Sequence, residues 1–253
     1  ITDIKDPRYG LLKGGYGTYD FDDYSYIEGE IEWCSTEHQC SALQGLEGCS
    51  LVLNVKKYKE AAELIRDQLY FKLYDHEHGR VYQGISAEPD RGWALDCTTW
   101  AGITAFSILN KECSYACEES AKDEYLTEGK FIVQSDAEEY YNRRYSSGYA
   151  FSGFKPYSDR DGGYSGSPDI VWTEGTLGYA ALALLLGHES EAQTYVDECI
   201  KLQEIQNGTG GVLYVTATHA QLPWEFHVWE SVVSSAWLYL LIKNPDVLFP
   251  KIL

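Results

Sequence analysis

The sequence predicts an all-α domain, an α/α-hairpin toroid that is a complete or partial ring, with short β-like connections between its helices. Three observations predict it. Amphipathic and wholly apolar helical segments alternate along the chain, a glycine-aromatic-tryptophan-acid device recurs ahead of the apolar ones, and 253 residues suffice for one domain with a sizeable core.

The segment from Lys59 to Tyr74 sets Ala62, Ile65, Leu69 and Leu73 on one stripe, with Glu60, Glu63, Arg66, Asp67 and Lys72 mostly elsewhere, as expected of a helix lying on a surface. Thr176 to Leu186 is apolar all the way round, as is much of Val232 to Ile242, so both are expected to be inner helices covered on every side. Ala192 to Gln206 is amphipathic again, with Tyr195, Val196, Cys199 and Leu202 on its buried side. Inner and outer helices therefore alternate.

The recurring device links them. Gly14-Gly15-Tyr16 precedes Trp33 and Glu37, and Gly79-Arg80-Val81-Tyr82 precedes Trp93 and Asp96. Gly162-Gly163-Tyr164 precedes Trp172 and Glu174, and Gly210-Gly211-Val212 precedes Trp224-Glu225 and Trp229-Glu230. The spacing is that of two helices with their connections, hence an array of helical hairpins. Four copies fall short of a closed six-hairpin ring and the chain starts without methionine, so residues 1–253 are expected to be a single domain lacking the first hairpin or hairpins of a full ring.

A formal charge of −19 sets a repulsive field against phosphate backbones and anionic lipid, which excludes nucleic acid and membrane surfaces as partners. The longest apolar run, Leu177 to Leu186, is well short of the roughly 20 residues that span a bilayer. The 21 tyrosines and 7 tryptophans supply flat amphipathic rings of the kind that stack on sugars as well as fill cores. Seven cysteines, Cys34, Cys40, Cys49, Cys97, Cys113, Cys117 and Cys199, form no Cys-x-x-Cys pair, so disulfides are expected rather than zinc. With the Asn207-Gly208-Thr209 glycosylation sequon they predict a secreted glycoprotein, and their odd number leaves one thiol that points to a homo-oligomer or polymer. Ser135 to Ser167 has no sustained periodicity, and a loop that long is expected to be functional or part of an interface. Its Asp159-Arg160-Asp161-Gly162-Gly163 lacks the spacing and terminal Glu of an EF-hand. No Walker loop or dinucleotide fingerprint occurs, so neither metal nor cofactor is expected.

In such a ring the inner helices run parallel, so the acid at the start of each is expected at a common mouth. Glu37, Asp96, Glu174 and Glu225 or Glu230 would converge there. Trp33, Trp93, Trp100, Trp172, Trp224 and Trp229, with His38 and His227, are the expected substrate-binding residues. Carboxylates on the floor of an aromatic funnel suit an uncharged poly- or oligosaccharide, since two of them can share acid and base duties across a glycosidic bond. A helix N-terminus favours the ionised carboxylate, so the acid must be desolvated by neighbouring rings. Glu174, beside Trp172, is best placed for that; Glu37 or Asp96 is the expected base. With His38 as base and a nearby tyrosine as acid, the same cleft would perform elimination on a uronic acid, a substrate the negative field repels.

Trp33-Cys34-Ser35-Thr36-Glu37-His38-Gln39, Trp93-Ala94-Leu95-Asp96-Cys97-Thr98-Thr99-Trp100, Val171-Trp172-Thr173-Glu174-Gly175-Thr176 and the closing Asn244-Pro245 resemble runs in the six-hairpin glycosidase-like (α/α)6 toroid superfamily, in order from about Gly14 to Phe249. Its members typically carry one or two further hairpins before the Ser-Thr-Glu-His run. They include hydrolases, lyases, epimerases and proteins without known activity, so the resemblance implies a carbohydrate connection rather than a reaction. The expectation is a secreted glycosidase-type protein. Two others stand beside it: a non-catalytic extracellular structural protein that self-assembles through exposed hairpin faces, and a sugar-binding module without turnover.

Overall fold

A computed structural model describes residues 1–20, 22–130, 150–160, 164, 166–205, 210–221 and 224–250. The sequon at 207–209, the glycine pair at 162–163 and residues 135–149 of the long loop lie outside them. Among the described residues seven helices follow one another. They are α1 (Thr36–Leu53), α2 (Lys56–Gln68, continued by the π turn Leu69–Leu73) and α3 (Leu95–Ala101, continued through the π turn Gly102–Phe106 to Ser107–Leu109). Then come α4 (Lys111–Tyr125), α5 (Thr173–Leu186), α6 (Glu189–Glu204) and α7 (Val232–Lys243).

They pair as hairpins α1–α2, α3–α4 and α5–α6, while α1, α3, α5 and α7 touch in succession as the inner layer. On α2 the stripe Ala62, Ile65, Leu69 and Leu73 is buried, and on α6 Tyr195, Val196, Cys199 and Leu202 are, so the outer helices lie on the surface as their periodicity predicts. The α5–α6 turn is closed by Gly187 in the left-handed region at φ 91°, with the His188 amide returning to Ala183 O at 2.9 Å. A buried ion pair between Arg66 and Glu47 ties α2 to α1. The core between the layers holds Leu43, Trp93, Leu95, Phe106, Tyr125, Phe154 and Tyr179, with Phe154 stacked on Tyr179 at 4.1 Å.

The connections are short antiparallel pairs. Cys34–Ser35 pairs with Gly84–Ile85, Tyr74–Asp75 with Arg80–Val81, and Val212–Leu213 with Glu230–Ser231. Two longer hairpins accompany them, Gly15–Tyr19 with Tyr26–Ile31, and Leu126–Lys130 with Ala150–Phe154 in the register Leu126 to Phe154. One bond recurs at the start of the inner helices. The first amide of α1, Thr36 N, donates to Gln83 O at 2.9 Å; that of α3, Leu95 N, to Pro156 O at 3.0 Å; and that of α5, Thr173 N, to Tyr214 O at 3.0 Å. Each acceptor belongs to the following connection, so every connection is docked on the inner helix before it. Hydroxyls reinforce two of these joints: Thr36 Oγ1 donates to Tyr82 O at 2.5 Å, while Thr173 Oγ1 lies within 2.8 Å of Leu213 O and of Ser234 Oγ on α7.

Two expectations are corrected. α7 is not covered on every side: Ser234, Leu238 and Leu241 are buried, but Val232, Val233, Tyr239 and Ile242 are exposed, Val232 at 86%. No helix among the described residues lies over that face, although the turn after it reaches α1, where Gln44 Nε2 donates to Leu248 O at 2.9 Å. Nor are the cysteines paired: all seven are free thiols and all but Cys49 are buried. The six buried ones sit at core-facing positions of helices and a short strand, where the thiol acts as a small apolar filler. No helix among the described residues is long and apolar enough to cross a membrane.

Thr173→Val leaves the buried Leu213 carbonyl and the half-buried Tyr214 carbonyl without its hydroxyl, and should destabilise the fold by about 1–3 kcal/mol. Thr194→Val, which removes only an exposed bond to Ser190 O within α6, should stay within about 0.5 kcal/mol. Urea midpoints compare them; equal midpoints would show that the docked connection contributes nothing to stability.

Candidate active site

The docked connections bring the acids into equivalent places. Glu37, Asp96 and Glu174 are each the second residue of α1, α3 and α5, so all three side chains leave their helices at the same turn. They meet closely enough for their charges to interact. Burial, reinforced by the Glu37 charge, pushes the Asp96 carboxyl up to about 6, against the hydrogen bond of 2.9 Å that its Oδ1 accepts from the Cys97 amide. Burial, with Asp96 and Glu37 adding repulsion, pushes Glu174 up to about 7. At α7 the equivalent second position is Val233, and the acids of the fourth copy, Glu225 and Glu230, come instead from the strands ahead of that helix.

Glu174 stands where two hollows meet. One is a narrow crevice between α3, α5 and α7, lined by Asp96, Thr99, Trp100, Glu174 and Trp237, with the two indoles edge to face at 5.9 Å. The other holds about 300 Å3 and is lined by Glu174, Tyr214, Glu225, His227, Trp229 and Glu230. There the His227 ring stacks on Trp229 at 4.3 Å with 11° between planes, and its Nε2 lies 3.4 Å from Glu225 Oε2. No Lys or Arg lines either hollow.

Not every expected binding residue borders them. Trp93 is 1% exposed, with the Arg80 guanidinium 3.7 Å from its ring and Tyr82 stacked at 4.9 Å, so it is a core residue. Trp172 is buried behind Glu174, edge-on to Tyr214 and Phe226. Its indole fits there because residue 175 is glycine: a Cβ on Gly175 would collide with it. Trp33 lies half-buried on the Gly84 backbone, where a Cβ would come within 2.6 Å of the ring. His38 is exposed and lines neither hollow. The side chain of Trp224 lies outside the described residues.

Sequence reasoning missed Trp237 and Tyr214. Trp237 lies outside the repeat and carried no signal. Tyr214 had one: it follows Gly211 by three residues as Tyr82 follows Gly79, and both tyrosines give their carbonyl to the threonine that opens an inner helix. Burial, then the nearby Glu174 charge, pushes the Tyr214 hydroxyl up to about 12, so it remains a proton-bearing donor beside the acid. Among the described residues the His and carboxylate groups near enough for a shared metal ion are Glu118, His188 and Glu191, on the outer helices and the turn between α5 and α6. The Lys122 ammonium already stands 3.8 Å from Glu118 and 3.6 Å from Glu191, so that group is balanced by a tethered cation.

No family model matches this chain, and no curated protein does. Solved structures do. An unsaturated glucuronyl hydrolase from Bacillus sp. GL1 aligns with TM-score 0.56 at 11% identity over 97% of this chain and 67% of its own. An α-amylase from Clostridium perfringens aligns with TM-score 0.53 at 13% identity over 97% and 65%. A family 76 glycoside hydrolase (mannosidase) from Bacteroides thetaiotaomicron aligns with TM-score 0.50 at 11% identity over 87% and 58%, so this chain spans under two thirds of that protein's length. At such identities the likeness shows the fold alone: an array of α/α hairpins like part of the toroids of these structures.

Proposed function

We propose that the chain binds a poly- or oligosaccharide at this mouth and hydrolyses its glycosidic bonds, with Glu174 as general acid and Glu37 or Asp96 as base. The observation that carries the reading is the trio of carboxyls at the same turn of three neighbouring inner helices, one of them held up to about 7 by burial beside Trp172. A carboxyl with that pKa still bears its proton near neutrality and can give it to a leaving sugar oxygen; an ionised partner can activate water or attack the anomeric carbon. Trp229, Trp100 and Trp237 supply ring faces and edges for sugar, and the three similar structures are named as enzymes of glycans.

A lining with several carboxyls and no Lys or Arg favours a neutral sugar over a uronate. It also weakens the elimination variant, as does the absence of His38 from the lining. Secretion belongs to this reading because polymeric glycans are met outside cells; the free thiols give it no support. A second reading, a non-catalytic extracellular scaffold that self-assembles, is favoured by the bare apolar face of α7.

A panel of neutral glycans should include one that the chain hydrolyses, and Glu174→Gln should lower kcat on it by about 10²–10⁴-fold. Turnover unchanged by the substitution would remove Glu174 from the acid's role. A wild type inert on the whole panel, sedimenting as a polymer, would establish the scaffold instead.

The pH profile carries the assignment further. Activity should fall as pH rises through about 7, where Glu174 loses its proton, and Asp96 as base would place an acid limb near 6. Stability follows the same proton. A carboxyl whose pKa is raised by folding destabilises the fold once pH passes its unfolded value near 4.5, with the full cost reached above about 7. Glu174→Gln should therefore stabilise the protein at pH 8, by on the order of 2–3 kcal/mol at most, and barely at pH 4.5. Thermal melts at the two pH values decide; the same difference at both would mean that Glu174 is not desolvated.

A further inference from the structure

The hairpin of Gly15–Tyr19 with Tyr26–Ile31 carries Tyr16, Tyr19, Tyr24 and Tyr26, each more than half exposed. Single exposed rings are ordinary, but four within eleven residues make a patch. Tyr19 pairs with Tyr26 across the strands, and their rings meet edge to face at 5.5 Å. The Tyr26 ring rests on Gly17, at φ 79°, where a Cβ would collide with the ring and its hydroxyl. A ring laid over a strand glycine steadies the strand, which accounts for the placing of Tyr26. It does not account for the exposure of the other three, nor for the 55% of Tyr26 that stays open to solvent.

The chemistry of the patch selects its ligand. Between Lys13 and Glu32 stand five carboxylates and no Lys or Arg, so an anionic ligand is repelled. Four of those carboxylates are already engaged. Asp20 accepts from the Asp22 amide and Asp23 from the Ser25 amide, both at 2.8 Å, Glu28 from the Tyr16 hydroxyl at 3.0 Å, and Glu30 from the Lys13 ammonium at 2.6 Å. What the hairpin offers is therefore ring surface rather than charge. A strand adding at its edge is opposed by the break in register between Tyr16 and Thr18 and by Gly17 and Gly29 at positive φ. A partner docking on aliphatic contacts finds them on α7, where Val232, Val233 and Ile242 are bare; among the described residues of the hairpin the exposed large side chains are the four tyrosines and Ile27. Flat rings with polar tips suit the apolar face of a neutral sugar, whose hydroxyls the tips can meet.

We propose that the Tyr19–Tyr26 shelf, with Tyr16 and Tyr24 beside it, binds a neutral polysaccharide chain outside the mouth, a ligand class that rests on the glycan reading of the mouth. The strand Tyr26–Ile31 leads through Trp33 and Cys34–Ser35 into α1, whose second residue is Glu37, so the shelf stands on the α1 side. The hollow of about 300 Å3 is on the α5 and α7 side, lined by Glu174 and Val233. A ligand that touches both crosses the starts of the inner helices, so the shelf adds affinity for a polymer and none for a single sugar.

Native electrophoresis of the whole chain through gels containing α-mannan, β-glucan or amylose tests this, with polygalacturonate as the anionic comparison. The Glu174→Gln chain is used throughout, so that no polymer is consumed. At least one neutral polymer should retard it, and polygalacturonate should not. Tyr19→Ala, which leaves Tyr26 on Gly17, and Tyr26→Ala should each weaken that binding about three- to tenfold, while Tyr26→Phe, which keeps the ring, should change it by less than about twofold. Retardation unchanged in both alanine variants, retardation by polygalacturonate alone, or none by any neutral polymer would overturn the shelf. None of these outcomes bears on Glu174 as the acid, which the hydrolysis panel decides.

Discussion

The mouth of the helical array depends on one backbone bond used three times, in which the first amide of an inner helix donates to a carbonyl of the next connection. The opening amides of a helix have no partner inside it, and among packed rings they would be costly to leave bare. Here the neighbouring connection supplies the partner. The same bond fixes how each connection sits on the helix before it, so Thr36, Leu95 and Thr173 start their helices at matching depths and the acids that follow them come into register. Convergence of Glu37, Asp96 and Glu174 is thus a by-product of satisfying the helix starts.

That arrangement sets two effects against each other. A helix N-terminus favours an ionised carboxylate by about 0.3–1 kcal/mol, up to about 2 when partly buried. Burial and like charges oppose it, and they prevail at both sites for which a shift is resolved. The margin differs in the expected direction. Asp96 is offset by the bond its oxygen accepts from the Cys97 amide and stops at about 6; Glu174, on which burial and both neighbouring charges act in the same direction, reaches about 7. Two acids in nearly the same helical position therefore keep their protons to different extents, which a division into acid and base requires.

The periodicity of the sequence gave access to whatever is repeated. The buried stripes of α2 and α6 follow from spacing, and the acids of the three inner helices from their place after each tryptophan. What depends on a single partner was hidden. Trp93 has the same local context as Trp172, yet Arg80 and Tyr82 cover its faces, and nothing near position 93 announces a guanidinium from another strand. The α7 stretch is as apolar as α5, but composition records what a helix tolerates against itself and not whether a neighbour arrives to cover it. The cysteines misled for a related reason: their number suggests bridges, while their helical phase, which faces the core, was the more informative property.

The fourth copy of the device shows what the break in repetition does. α7 carries Val233 where its three predecessors carry an acid, so no carboxylate closes the ring of helix starts on that side. Its acids, Glu225 and Glu230, stand on strands ahead of the helix, displaced outward together with His227 and Trp229. Between the three embedded carboxyls on one side and these displaced ones on the other, the roughly 300 Å3 hollow opens, and Glu174 is the one member of the embedded set that lines it. Asp96 lines instead the narrow crevice, where Trp100 and Trp237 meet edge to face. If the chain is the glycosidase proposed above, a sugar entering the roughly 300 Å3 hollow meets Glu174 before Asp96, which lines only the crevice behind it, and that is the order required if the residue that protonates the leaving oxygen is the one whose proton is held at the higher pH.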